Sequence, residues 1–323
     1  MSKIENAKTY LGKELENIFF RPIFADEGAR ELGIKVMYNM PAPTRLHFWH
    51  RPEDVLRKYT SAGWNGSASA ERYTKTVELQ RVKAEMSYSA DEYFSLVYDS
   101  IAQSALTQLD DLTGTELEAA ETALFRNAIL ESVRATMWLG KTTREGVLNT
   151  FDGFLHRIIS DINSRDIPAE VYESVTTATA VTRLKSVWDN ASEELRNMRA
   201  EGQLVFFVTT DVRDAYEESL EAADNEAAYH LRQTGPGSLM FKGIPVVDMK
   251  LNSYLPRCYD LGVSFILLTD RRNLALALNT GDFPGSEVRM WYNPDLMENR
   301  QRAIFMAGCD YLLPELVSIG YAK

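Results

Sequence analysis

Three short stretches carry residues whose types and spacing could do chemistry. Leu139 to Thr143 reads LGKTT, like the tail of a loop whose backbone amides and lysine cradle phosphates. That loop needs another glycine five residues before the Gly-Lys pair, a strand ahead and a helix behind. Here the position holds Ala135, and a helical pattern comes first. Gly140 therefore reads as a helix stop, and Lys141 as a cation near the helix's negative end. Leu46 to Asp54 reads LHFWHRPED, with His47, His50, Glu53 and Asp54 as candidate metal donors. Two histidines three apart share a face only on a helix. This segment follows Pro41 and Pro43, lacks a helical pattern and has no third ligand at a standard spacing. Its Phe48, Trp49 and Arg51 suit an interface better. Ser238 to Met249 reads SLMFKGIPVVDM. No hydroxyl follows Lys242-Gly243 and no helix start succeeds it. The stretch reads as a chain reversal into a buried strand, with Pro245 at a strand edge or bulge.

The other reactive residues do not assemble into a site. Cys258 and Cys309 form no CxxC pattern and read as two buried reduced thiols. His156 and His230 stand alone in helical patterns, and no serine sits in a GxSxG elbow. Asp110, Asp111 and Glu116 could line a weak cation site. The runs DDLTGTE and EESLEAADNE read first as solvated helix faces. No catalytic, cofactor-binding or metal-binding set emerges.

The elements that would position these residues describe an α+β chain. It has 323 residues, 45% hydrophobic and 25% charged, which suits one large folded domain or two ordinary ones. A formal net charge of −11 opposes a main task of gripping nucleic-acid phosphates, yet allows a protein that encloses nucleic acid. No apolar signal core opens the chain, and no run of about 18 apolar residues occurs, so a cytoplasmic setting without membrane contact is expected.

Residues 1–35 look like an arm with too few apolar residues for a core. Residues 36–86 form a strand-rich ribbon with a glycine-containing, loop-rich middle. Val77 and Leu79 share one phase and Val82, Ala84 and Met86 the other, so a bulge or strong twist is expected near Gln80. A helix over 115–139 carries two stripes, Leu117-Ala120-Leu124-Ala128 and Phe125-Ile129-Val133-Met137. Asp211 is a candidate cap for the helix that follows QLVFFVTT. NLALALN reads as helix-like or extended. The last third is mainly strands.

The order of these parts resembles the major capsid proteins of tailed bacteriophages, with the fold named for coliphage Hong Kong 97. The ribbon from Tyr38 to Met86 looks like that family's E-loop and its flanks. TELEAAETALFRNAILESVRATMWLG looks like its spine helix, and TFDGFLHRIISDI like the segment after it. QLVFFVTTDVRDAYEESL looks like the axial domain's central strand and helix. FKGIPVVDM, FILLTDRRNLALALN and a terminal strand pair are similar to the segments that finish the fold.

The resemblance implies a non-enzymatic shell subunit without cofactors. Its parts would be an arm (1–35), an E-loop with flanks (36–86), a peripheral domain (87–146 and 261–323) with the spine helix at 115–139, and an axial domain (147–260). Copies would form hexamers and pentamers closing into an icosahedral head around double-stranded DNA, without sequence-specific binding. The E-loop would contact a neighbour through Leu46, Phe48, Trp49, Arg51 and Trp64. Further implied partners are a portal protein, a separate scaffolding protein in the absence of a long charged N-terminal extension, and optionally a decoration protein. The location would be the virion, after assembly in the host bacterial cytoplasm. Arm residues Lys3, Lys8 and Lys13 would point inward. Inter-subunit crosslinking, known in one branch, is not carried over, although Lys58, Lys75 and Asn65 lie in the ribbon. Two alternatives stay open: an encapsulin-like shell around protein cargo, and a cytoplasmic phosphate- or metal-dependent enzyme using LGKTT or LHFWH.

Overall fold

A computed structural model describes residues 8–10, 32–38, 40, 44–50, 71–89, 116–222, 239–257, 264–279 and 287–322. Strands β1 (Lys8–Tyr10) and β2 (Lys35–Tyr38) precede a hairpin-like pair, β3 (Thr44–His50) and β4 (Glu71–Val77), and then β5 (Gln80–Ser89). Helix α1 (Glu116–Leu139) and α2 (Phe154–Asp161) follow, then β6 (Ala169–Tyr172), α3 (Ala180–Asn190), α4 (Glu193–Asn197), β7 (Leu204–Val208) and α5 (Thr210–Ala222). The chain continues through β8 (Met240–Phe241), β9 (Ile244–Asp248), β10 (Phe265–Asp270), β11 (Leu274–Asn279), β12 (Glu287–Asn293), β13 (Glu298–Tyr311) and β14 (Val317–Ala322).

Two six-stranded sheets organise these elements. The first runs β1-β12-β13-β11-β2, with β5 also paired to β13; the second runs β6-β14-β10-β7-β9-β8. Strand β7 is buried at all five positions because it is covered on both faces. Val205 and Phe207 join a core shared with the first sheet and α1. Leu204, Phe206 and Val208 join a second core beneath α3 and α5. Trp138, fully buried in the last turn of α1, ties the helix to the second sheet. Its ring lies 5.3 Å from Phe154, 5.1 Å from Phe207 and 6.2 Å from Phe265.

Three readings change. The expected boundary at residue 260 does not follow the sheets, since β10 and β14, grouped with 87–146, pair inside the sheet of β7. Uniformly apolar strands carry no mark of which sheet they will join. Of the two α1 stripes, Phe125-Ile129-Val133-Met137 is buried, but Leu124 is 51% exposed and Ala128 is exposed too. Leucine and alanine favour a helix without needing a core, so they extend a stripe in sequence only. Asp211 lies inside the first turn of α5, which begins at Thr210, and favours the helix dipole there rather than capping it. LALALN is a strand buried throughout, where a helix was also open.

The Lys242-Gly243 reversal is a two-residue hairpin between β8 and β9. Both residues have positive φ, 52° and 77°, as a primed turn requires. Pro245 sits in β9 opposite Met240 on the short edge strand.

Candidate functional site: the ribbon and its root

Among the described residues β3 and β4 pair only with each other, from Thr44 opposite Val77 to His50 opposite Glu71. A two-stranded ribbon is marginal alone, so its direction depends on how its root is held. The root begins where the hydrophobic phase flips. Lys75, Val77 and Leu79 are buried, then Gln80 and Arg81 are both exposed, and Val82 resumes burial on the other parity. The flip marks a change of partner. Beyond it β5 leaves the ribbon and pairs with β13, from Ala307 opposite Gln80 to Glu298 opposite Ser89. The ribbon proper is therefore shorter than the expected span to Met86.

At the changeover the chain crosses Gly308 of β13 at backbone contact. A Cβ on Gly308 would stand 2.1 Å from the Glu78 carbonyl oxygen. Val77 and Leu79 lock into a small cluster with Met37, Ala275, Ala277 and Leu312, against which Met40 and Leu46 are half-buried.

Beside this crossing lies an ionic cluster. Lys75 Nζ is 3.1 Å from Asp310 Oδ1 and 3.9 Å from Asp161 Oδ2. Arg157 reaches Asp310 Oδ2 at 3.3 Å, and Arg165 reaches Asp161 at 3.2 Å. Tyr311 donates to Asp161, and Arg165 donates to Tyr73. The Lys75 ammonium also sits 4.0 Å from the centre of the Tyr311 ring. Burial pulls the Lys75 ammonium below its ordinary pKa against the attraction of Asp310. Burial pushes the Asp310 carboxyl up against Lys75 and Arg157.

The sequence-predicted contact residues fall unevenly on this geometry. Leu46 packs toward its own chain's core. Phe48 and Trp49 are opposite Tyr73 and Arg72 in the ribbon. Arg51, Trp64, Lys58 and Asn65 lie outside the described residues, as do Lys3 and Lys13. Lys8 is in β1, paired to β12. Sequence reasoning missed Asp310, Asp161 and Arg157. A signal existed: Arg157, Asp161 and Arg165 recur at four-residue spacing, and Asp310 is the lone charge in the run AIFMAGCDYLL.

The enzyme-like motifs have structural occupations. Gly140 stops α1, with its N–H donating to Thr136 O at 2.8 Å, and a Cβ there would meet Phe151 O at 2.2 Å. Arg144 donates to Leu139 O at 2.8 Å, satisfying another terminal carbonyl. The Thr142 amide and hydroxyl, which a phosphate or its metal would need, donate to Asp152 Oδ1 at 2.8 and 2.9 Å. Gly153 N–H closes the junction on Gly140 O at 2.9 Å. His47 and His50 belong to a strand, where the helical i,i+3 pairing of imidazoles does not exist. Cys309 is a buried free thiol whose Sγ lies 3.4 Å from Met137 O and 3.3 Å from Asp152 O; burial pushes its pKa up. Cys258 lies outside the described residues. No helix in the described residues is long and apolar enough to cross a membrane.

No family model and no curated protein matches the chain. Solved structures do. A chain of the satellite phage P4 procapsid superposes with a TM-score of 0.58 at 10% identity, covering 94% of this chain and 89% of that one. A Gordonia phage Cozz structure gives 0.54 at 10% identity, covering 91% and 86%. The capsid of a native GTA particle gives 0.51 at 14% identity, covering 92% and 89%. The chain has the α+β, Hong Kong 97 type fold of phage capsid proteins.

Proposed function

We propose that this chain is the major capsid protein of a tailed double-stranded DNA bacteriophage or prophage. The observation that carries this reading is the near end-to-end match to a procapsid chain, 94% of one against 89% of the other. In this reading the two sheets and α1 form a stiff plate, and the ribbon is its reach toward a neighbour. Closed rings of six and five copies multiply a small contact energy into a stable shell. Phe48, Trp49, Arg51 and Trp64 supply the aromatic and arginine contacts to the next copy. Leu46, half-buried against its own chain's core, adds its remaining apolar surface to that contact. The net charge of −11 suits a container that encloses DNA without gripping it. Portal and scaffolding proteins are the expected partners, the virion the expected location.

Electron microscopy of the purified protein tests the reading. Hollow polyhedral particles are expected, and a stable monomer at high concentration refutes it. Particles from the native source should contain double-stranded DNA. Protein cargo without nucleic acid would instead favour the encapsulin-like alternative.

A further inference from the structure

Lys75 and Asp310 face each other where water is excluded. Their side chains are 8% and 1% exposed, with Nζ 3.1 Å from Oδ1. Both backbones are held: Val77 and Leu79 fix β4 in its small cluster, and Asp310 pairs with Ala275 of β11. Asp310 Oδ1 accepts no aligned hydrogen bond among the described residues. No directional bond must therefore break as Nζ passes from that oxygen to the carbon behind it. Burial acts on the two groups in opposite senses, lowering the lysine's pKa and raising the carboxyl's. A proton passed across the contact leaves an amine beside a carboxylic acid, the reactive pairing for an amide. Two more side chains complete the set. Arg157 donates to Asp310 Oδ2 at 3.3 Å, where a guanidinium stabilises negative charge developing on that oxygen. Asp161 Oδ2 stands 3.9 Å from Nζ, a carboxylate placed to take the nitrogen's proton. Tyr311 and Arg165 donate to Asp161 and hold it there.

We propose that Lys75 and Asp310 condense into an isopeptide bond inside the single chain, joining β4 covalently to β13. The neutral amine attacks Asp310 Cγ, so that an Nζ–Cγ bond forms and the carbonyl electron pair moves onto Oδ2 against Arg157. Asp161 takes a proton from the nitrogen and delivers it to the Oδ1 hydroxyl. The Cγ–Oδ1 bond breaks, Oδ1 leaves as water, and the pair on Oδ2 restores the carbonyl of the amide. Nothing is oxidised or reduced, and no co-reactant is consumed. The bond links no two copies. It is a property of the subunit; its use in bearing load within a shell rests on the reading above.

Distance alone does not select this pair. Lys83 lies closer to Glu85, at 2.7 Å, but those side chains are 59% and 53% exposed and water solvates both. Lys242 and Asp189, 3.8 Å apart, are 34% and 51% exposed. Among the described residues, Lys75 is the lysine whose carboxylate partner is buried with it and flanked by an arginine and a second carboxylate. The Tyr311 ring, 4.0 Å from Nζ, shields the nitrogen from solvent. The fold brings together residues 235 positions apart, so the condensation is unimolecular. Well-oriented groups of this kind react as though at about 10⁵ M or more.

Mass spectrometry of the full chain, folded, aged and then denatured, tests this. The chain should be lighter than its sequence by one water. Trypsin should leave Lys75 uncut and yield one branched peptide joining residues 73–81 to residues 303–323. A chain of unaltered mass that trypsin cuts after Lys75 overturns the proposal, and this arm needs no variant to fold. Lys75→Arg should keep the full sequence mass; a water still lost there would place the chemistry elsewhere and overturn it. Asp161→Asn should lose water about a hundredfold more slowly than wild type. An equal rate would refute the mechanism written above. The branched peptide must come from chains of monomer mass on a denaturing gel. If it comes from covalent multimers, the bond lies between copies and the intrachain assignment fails. Particle formation is scored separately: particles built from unbridged chains sink the bond and leave the shell reading standing, and bridged chains that form no particles do the reverse.

Discussion

Replacing Gly308 with alanine is a direct test of the ribbon's crossing point. The new Cβ would stand 2.1 Å from Glu78 O, 3.1 Å from the Glu78 carbonyl carbon and 3.2 Å from Leu79 Cα. Contacts of a Cβ below 3.0 Å are essentially never observed, so the two backbones must separate by about 1 Å. Every opposing atom is backbone, so no rotamer change can absorb the clash. Gly308 is not among the positive-φ glycines, which leaves the whole cost steric. Separation would pull Val77 and Leu79, 0% and 8% exposed, from the cluster they share with Met37 and Leu312. Overpacking of this kind costs about 1–3 kcal/mol. Alanine's smaller unfolded-state entropy returns less than about 1 kcal/mol of that. At about 2–4 °C per kcal/mol, the thermal midpoint of the subunit should fall by several degrees. Gly202→Ala is the control: its φ is 69° with nothing within 4 Å, so only a dihedral cost of about 1 kcal/mol applies. Calorimetry on both variants reads the difference. A G308A midpoint equal to or above wild type would show that the crossing is not held as described.

Two further outcomes follow from the junction after α1. Trp138→Ala removes the ring that Phe154, Phe207 and Phe265 surround, and should cost about 3–5 kcal/mol in urea unfolding; a loss below about 1 kcal/mol would mean the core closes over the gap. For Asp152, burial acts to raise the carboxyl pKa, but the two bonds from Thr142, with Arg157 and His156, outweigh it and hold it below the ordinary value. A depressed pKa gives stability present above the unfolded value and lost as pH falls through the folded one. Asp152→Asn should therefore lower stability at pH 6 and flatten its decline below about pH 4; an acid limb identical to wild type would contradict the assignment.

How far the sequence speaks is clearest at particular residues. The phase flip near Gln80 was legible because alternation has a fixed period, and one residue of slippage exchanges the faces. The stop at Gly140 and the reversal at Lys242-Gly243 were legible because backbone demands of that kind select glycine. The stripe through Leu124 misled because helix-forming residues need no core to occupy a helix. The assignment of β10 and β14 to a sheet was not legible, since strands buried on both faces look alike. The ionic root was legible only in fragments. Lys75 and Asp310 lie 235 positions apart, and no local pattern announces which charges will meet. The enclosure of LGKTT by Asp152 and Gly153 likewise needs the fold, although the motif's missing glycine was already visible at Ala135.

Strand β13 has fourteen residues and spans about 45 Å at the usual rise. Along its first half β12 and β5 flank it, and β11 continues along its second. One end meets a turn that carries Leu296 and Met297, 62% and 52% exposed, and the other end carries Asp310. Mechanically this is a braced spar. A load on the turn is not dissipated by bending in the plane of the sheet, and it reaches the far end as a displacement of the whole strand. A push on Leu296, just before one end of the strand, is therefore expected to be felt at Asp310, next to its other end.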